Sequence, residues 1–180
     1  MALVRNALAA TALLGLLGST VGATEHAAGA QAPLAHGFRG GGTSIQQLLQ
    51  ELLLALKRKD EGALRSLRVT EKEYRDIIVP GSVKPGSSPR QLVEDWIQFG
   101  WKSLDEKNRH VERAMIDALG GKALTLRNVT FDGEKEYAGY KAHRLPKLQL
   151  TDPAAEDLAI ETGSIAEVAG RYKFIAFLRN

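Results

Sequence analysis

The chain of 180 residues has no cysteine. This absence excludes disulfides, thiol catalysis, thiolate metal sites and a lipid-modified cysteine. An excess of charge of one sign is also missing, because 24 Lys and Arg residues stand against 21 Asp and Glu residues, and acids follow bases in runs such as residues 57–61. Nucleic-acid binding requires clustered basic residues that follow the phosphates. We therefore expect no nucleic-acid partner.

Apolar runs long enough to span a membrane are lacking as well. The first residues carry Arg5, a mostly apolar run over residues 7–17 and small residues at positions 21–23. That run is about half of the roughly 20 residues that a spanning helix needs, which disfavours the alternative of a single-span anchor. The three features together are typical of a secretory signal peptide. We expect residues 1–23 to be removed, leaving a periplasmic or secreted protein without a stable membrane anchor.

Residues 24–43 are rich in Ala and Gly and show no apolar period. Such a segment cannot bury enough surface to offset its ordering entropy, so we expect a disordered leader. Its two histidines, His26 and His36, lie far apart without a carboxylate cluster, and we expect no metal site. Residues 44–180 have the size of a single domain with one core.

The first part of this domain has the 3.6-residue apolar period of helices. A first helix is predicted over residues 44–59, with Thr43 or Ser44 as its N-cap. Asp60 can cap a short second helix. A capping box of the form TEKE, starting at Thr70, opens a third helix that ends near Ile78.

A long helix is predicted in the middle of the domain. Pro, Gly and Ser are dense from residue 79 onward, which predicts a loop that is a candidate pocket rim. Ser88 and Pro89 then form a strong helix start, since they supply a capping residue and a proline at the first helical position. The helix is expected to end at Gly120, with a bend or break at Gly100.

After the long helix the pattern changes to the two-residue alternation of strands. Four strands are predicted, over residues 124–131, 140–150, 158–168 and 172–178. The parity of the first strand slips near Asn128, which indicates a bulge. Pro146 interrupts the second strand, and Gly163 bends the third. The last strand is apolar on both parities and is expected to be central or covered on both faces, and the whole order predicts an α+β fold.

Three segments of the chain resemble the nuclear transport factor 2-like superfamily over residues 44–180. They are QQLLQELLLALKRKDEGALRSLRVTEKEY, the later long helix and the closing GSIAEVAGRYKFIAFLRN. The resemblance implies a cystatin-like α+β cone, in which N-terminal helices and a long helix pack on a curved antiparallel sheet around a pocket. Its members include isomerases, cyclases, dehydratases and binding modules, so the fold alone does not fix the function.

Four side chains are the predicted ligand-binding residues: Tyr140, Arg144, Trp96 and His143. Tyr140 and Arg144 share parity on the predicted second strand and lie on one face, whereas His143 points to the opposite face. Trp96 lies on the long helix, where packing in the core is the default for a large aromatic side chain. The chain contains no phosphate-cradling glycine loop, Ser-centred elbow or His-Glu zinc helix, so we expect no cofactor.

The leading hypothesis is a non-catalytic module that binds a small apolar ligand or a protein partner in a cone-shaped pocket. The first alternative is a small isomerase- or cyclase-like enzyme in which a pocket carboxylate or His143 transfers a proton. Two convergent polar groups with perturbed pKa values would favour that alternative. The second alternative is a structural module that forms a homodimer through the open face of its sheet.

Overall fold

A computed structural model of the chain describes residues 37–83, 94–153 and 157–177. The predicted signal peptide, the predicted leader up to residue 36 and the predicted helix start at Ser88 lie outside these ranges. Within them, every helix is too short or too polar to cross a membrane.

Three short helices open the domain in the predicted order, namely α1 (Ile45–Arg58), α2 (Glu61–Ser66) and α3 (Glu71–Glu73). All three have the predicted caps. The Ser44 hydroxyl accepts from the amide of Gln47, and the Asp60 carboxylate accepts from the amide of Ala63. The capping box that starts at Thr70 is complete. The helix starts are therefore fixed by local side-chain chemistry, as the sequence pattern indicates.

The third helix continues further than predicted. After α3 the chain forms one π turn over Tyr74–Ile78 and then α4 over Val79–Ser82. The loop prediction is therefore wrong for residues 79–82. A proline crowds the carbonyl four residues before it, and the wider π turn directly before Pro80 lets the helix pass through this proline.

The long helix is present and ends where predicted. Its described part contains a π turn over Trp96–Gly100, followed by α5 (Trp101–Leu119), and Gly120 is its C-cap. The helix is not broken at Gly100, because the π turn absorbs the irregularity within the helix.

Within the described residues, seven strands form two antiparallel sheets. They are β1 (Thr125–Thr130), β2 (Gly133–Tyr137), β3 (Tyr140–Arg144), β4 (Lys147–Thr151), β5 (Asp157–Glu161), β6 (Ile165–Val168) and β7 (Arg171–Phe174). One sheet has the order β1-β4-β5 and the other the order β2-β3-β6-β7. The pairing of β1 with β4 shifts between Leu126 and Asn128, which confirms the predicted bulge.

The two sheets are parts of one meander, because two of its long strands are bent near the middle and run from one sheet into the other. The second predicted strand divides at Pro146 into β3 and β4, and the third divides near Gly163 into β5 and β6. At the second bend the Thr162 amide donates to the Pro146 carbonyl at 3.0 Å, so hydrogen bonds continue from one sheet to the other. The strand pattern does not predict β2, because the segment GEKEY is charged and mostly exposed.

The last strand lies at an edge of its sheet and not at its centre, so it has the second of the two predicted arrangements, cover on both faces. Both of its faces are buried, since the successive side chains of Lys173 and Phe174 are both inaccessible. Its outer edge is covered by isolated bridges to Gly42 and Arg68. Residues 37–43, which the predicted leader includes, thus pack on the domain, and Phe38 among them is buried.

Two clusters of buried side chains cover opposite faces of the four-stranded sheet. The larger cluster joins α1 and α5 to both sheets and includes Leu48, Leu49, Leu52, Leu56, Met115, Leu148, Leu150, Ile165 and Phe174. The smaller cluster includes Phe38, Val69, Ile77, Ile78, Tyr140, Ala142, Ala166 and Val168. Ile165 and Ala166 are neighbours on β6, and successive strand residues point to opposite faces. The structure is therefore an α+β fold with helices, including the long one, packed on antiparallel sheets.

Candidate functional site

A pocket of about 240 Å³ lies beside the smaller cluster, between β3 and α4. It is lined by Ile78, Ser82, Tyr137, Tyr140, Ala142, Arg144, Leu145, Ser164, Ile175 and Ala176. Aliphatic and aromatic side chains form most of the wall, and the polar groups are hydroxyls and one guanidinium. Sites for drug-sized ligands usually measure about 300–1,000 Å³, so this pocket suits a smaller molecule.

Close contact between α4 and the β2–β3 hairpin forms one side of the pocket. The amide of Ala138 donates to the carbonyl of Gly81 at 3.3 Å. A Cβ atom at Gly81 would lie 2.4 Å from the Ala138 carbonyl oxygen and 2.8 Å from the Tyr140 ring. Only glycine allows this approach, which brings the next residue, Ser82, within 2.7 Å of the Tyr140 hydroxyl.

Two tyrosines form an aromatic wall. Tyr137 and Tyr140 are opposite each other on β2 and β3, and their rings stack with centroids 4.6 Å apart and an interplanar angle of 9°. Burial raises the pKa of Tyr140 to about 12, although its hydrogen bond with Ser82 acts in the opposite direction. The Tyr140 hydroxyl therefore stays protonated at physiological pH and serves as a hydrogen-bonding group rather than a base.

The charge at the pocket is positive. Arg144 lines the pocket and is exposed, and Lys135 lies on the same sheet face with its Nζ 4.5 Å from the Tyr137 ring centroid. Neither cation forms an ion pair with any described residue. By contrast, Lys141 on the other face contacts two glutamates. None of the described lining residues is a carboxylate or an imidazole.

The structure brings together two of the four predicted residues. Tyr140 and Arg144 line the same pocket, as strand alternation predicts. His143 lies on the opposite face and does not line it. Trp96 begins the second π turn, and its side chain is outside the described part of the structure. Tyr137, a sequence candidate for chemistry beside the second strand that is not among the four ligand-binding residues, also lines the pocket, and the pair of tyrosines around the Ala-Gly turn is a signal for a hairpin with facing rings.

His143 links three strands instead of lining the pocket. Its Nδ1 lies 2.9 Å from a carboxylate oxygen of Glu134 on β2, and its Nε2 lies 2.9 Å from one of Glu167 on β6. The rings of Phe131 and Tyr172 flank the imidazole at 5.8 and 5.9 Å between centroids. Both ring nitrogens are thus occupied on the face away from the pocket, where they cannot reach a molecule bound in it.

Buried charges elsewhere in the domain are paired with one another. Arg68 Nε lies 2.7 Å from Glu112, and Arg68 Nη2 lies 3.1 Å from Asp105. Burial raises the pKa of Glu112 even though Arg68 opposes the shift. Neither Arg68 nor Glu112 lines the pocket, so this network is structural. Across the described ranges, no group of three or more His, Asp and Glu side chains is arranged to hold a metal ion.

Comparison with family models, with curated proteins and with solved structures finds no match to this chain. The arrangement of helices on antiparallel sheets is compatible with a nuclear transport factor 2-like fold. The functional argument therefore rests on the geometry of the pocket.

Proposed function

We propose that this protein is an exported, non-catalytic module that binds a small molecule in the pocket between β3 and α4. The observation that carries the proposal is the composition of the wall. Apolar side chains such as Ile78 and Ile175 supply contact area. The Ser82 hydroxyl donates to the Ile78 carbonyl and is bonded to the Tyr140 hydroxyl, so this pair offers acceptor oxygens to a ligand. A cavity whose wall combines apolar contact area with a few convergent polar groups is a usual form of a ligand site, and this wall has both.

Binding fits this wall better than proton transfer does. An acid-base enzyme needs a group whose pKa lies near the working pH and which reaches the substrate. Tyr140, with a pKa of about 12, is far from that range, and His143 is turned away from the pocket. The described lining offers hydrogen bonds and one positive charge, which suit recognition.

Export and family membership are parts of the proposal that rest on the sequence. The basic, apolar and small-residue pattern of residues 1–23 supports a signal peptide, and the absence of cysteine is consistent with a domain stabilised by packing alone. The helix order and the bent meander support membership of the nuclear transport factor 2-like superfamily.

Native mass spectrometry of the protein purified from its exported compartment tests the proposed function. We expect an added mass that is lost on denaturation. A second measurement locates the site: the tyrosine rings are labelled with ¹³C and the protein is titrated with a set of small aromatic and aliphatic compounds. Ligands should move the Tyr137 and Tyr140 signals and leave Tyr172, on the opposite face, unchanged. No added mass and no movement of the Tyr137 and Tyr140 signals would overturn the proposal, and a ligand-free dimer would favour the structural alternative.

A further inference from the structure

The pocket holds a positive charge that the described residues do not neutralise. Arg144 lies on β3 two residues after Ala142, and both line the pocket. Gly133, directly opposite Arg144 on β2, has no side chain to pair with it. The two β3 residues on the other face, Lys141 and His143, are by contrast both paired with glutamates. The glutamates of this sheet therefore pair with residues on the other face, and the Arg144 guanidinium can bind an anion in the pocket.

A second cation reinforces the positive charge. Lys135 is opposite Ala142 in the register and therefore lies on the same face as Arg144. Its ammonium group lies 4.5 Å from the Tyr137 ring centroid, which is within the range of a cation–π contact. This contact leaves the ammonium charge uncompensated, so the pocket side of the sheet favours an anion.

We propose that the ligand of this pocket is a small organic carboxylate, and that Arg144 binds its carboxylate group. The inference rests on the proposed function and adds the chemical class of the ligand. A guanidinium has a planar fork that matches the two oxygens of a carboxylate. Tyr137 and Tyr140 both line the pocket, so their ring atoms can pack against the body of the ligand.

The number of charges favours a carboxylate over a phosphate ester. A phosphate monoester carries close to two negative charges, and sites for it usually combine several cations with backbone amides at a helix N-terminus or a tight nest. Among the described lining residues Arg144 is the one cation, since Lys135 contacts the Tyr137 ring without lining the cavity, and the helix beside the pocket, α4, contributes its last residue, Ser82. One guanidinium in a cavity of about 240 Å³ with a mixed polar and apolar wall matches one negative charge on a small organic body.

The test uses four probes that share one ring: benzoate, benzyl alcohol, benzylamine and phenyl phosphate. The full chain with ¹³C-labelled tyrosine rings is titrated with each, and dissociation constants are read from the Tyr137 and Tyr140 signals. We expect benzoate to bind about tenfold tighter than benzyl alcohol, since charge-assisted hydrogen bonds raise the affinity by about tenfold or more. Benzylamine should bind more weakly than either, and Tyr172 should report no change.

Three variants assign the effect to Arg144. Arg144→Gln should abolish the preference, so that benzoate and benzyl alcohol bind equally well to this variant. Arg144→Lys keeps the charge but loses the fork, so it should retain part of the preference. Arg171→Gln is the matched control, because Arg171 is exposed on β7 of the same sheet and does not line the pocket. An unchanged Tyr172 signal shows that each variant is folded.

The outcomes separate the two proposals. If no probe moves the Tyr137 and Tyr140 signals and native mass spectrometry shows no added mass, the proposed function itself fails. If benzyl alcohol binds as tightly as benzoate, or if Arg144→Gln leaves benzoate binding unchanged, the pocket binds ligands but the carboxylate assignment is overturned. Tighter binding of phenyl phosphate than of benzoate would overturn it in favour of a phosphate ester.

Discussion

Lys173 and Glu73 form an ion pair that is buried on both sides. The Lys173 ammonium lies 3.0 and 2.9 Å from the two carboxylate oxygens, and the two side chains are 2% and 7% exposed. Glu73 also accepts from the amides of Thr70 and Arg39. One carboxylate thus joins the last strand, the third helix and the segment before α1, so these three parts depend on one another.

Removal of the lysine should strongly destabilise the domain. Lys173→Met keeps the apolar stem but leaves a buried carboxylate without its counter-charge, and we expect a loss of about 3 kcal/mol in the free energy of unfolding. The double variant Lys173→Met with Glu73→Gln should recover about half of that loss. Urea unfolding followed by circular dichroism measures both. As a control, Lys72→Met removes an exposed ion pair with Asp76 and should change stability by less than about 0.5 kcal/mol. Equal effects at the two lysines would contradict the prediction.

The stability that Glu73 contributes should disappear in acid. Burial by itself raises the pKa of Glu73, but hydrogen bonds from the Thr70 backbone and from Lys173 outweigh it and hold the pKa below its usual value of 4.5. A carboxyl group with a lowered pKa in the folded state stabilises the protein above pH 4.5 and loses that effect as the pH falls through its folded pKa. The stability difference between the parent and Glu73→Gln should therefore be constant at about pH 5.5 to 7, because this range lies about one pH unit or more above 4.5. The difference should shrink below pH 4.5. A difference that grows in acid would refute this sign.

Tyr140 should make the protein sensitive to alkali. Burial raises its pKa to about 12 from the usual 10.0, so the folded state favours the neutral phenol. The stabilisation is complete below pH 10 and is lost as the pH rises from 10 to 12. The free energy of unfolding of Tyr140→Phe should fall less steeply than that of the parent as the pH rises above 10. At neutral pH the variant should be less stable by about 1 kcal/mol, because it lacks the hydrogen bond to Ser82. Urea unfolding at a series of alkaline pH values tests this; Tyr172→Phe is the comparison, since burial also raises the pKa of the more exposed Tyr172 and its effect should have the same sign and be smaller.

The two glutamates that hold His143 should contribute unequally. Glu167 is 28% exposed and Glu134 is 56% exposed, so solvent screens the second contact more. We expect Glu167→Gln to lower the free energy of unfolding by about 1 kcal/mol, and Glu134→Gln to lower it by about 0.3 kcal/mol. Thermal unfolding at neutral pH compares the two variants. A larger loss from Glu134→Gln would show that β2 depends on His143 more than β6 does.

Local patterns predicted the features that neighbouring residues decide. Ser44, Asp60 and Thr70 act as caps because a short polar side chain meets amides two or three residues later, and the sequence shows that spacing directly. The bulge near Asn128 and the shared face of Tyr140 and Arg144 follow from the two-residue alternation of a strand.

Features that depend on distant contacts were not predictable in the same way. The helix continues through Pro80 because a π turn and the hairpin at Ala138 accommodate it, and neither leaves a local signal. Likewise, nothing near Lys173 in the sequence identifies Glu73, 100 residues away, as its partner. The pocket combines both cases: Tyr140 and Arg144 follow from alternation, whereas Ser82 reaches Tyr140 only because the helix extends past the predicted loop start.

The approach of Gly81 to the hairpin should be essential for the pocket. An added methyl group at Gly81 meets backbone, the Ala138 carbonyl at 2.4 Å, so α4 or the hairpin must shift. We expect Gly81→Ala to cost about 1–3 kcal/mol, which is typical of overpacking, and to lengthen the contact between Ser82 and Tyr140. The matched control is Gly37→Ala, because the nearest atom there is the Ala169 Cβ at 4.0 Å, an ordinary van der Waals distance. Urea unfolding gives the energies, and the ¹³C signal of the Tyr140 ring reports the contact. If Gly81→Ala left both unchanged, α4 would not be held against the hairpin as described, and the pocket wall would lack one of its two sides.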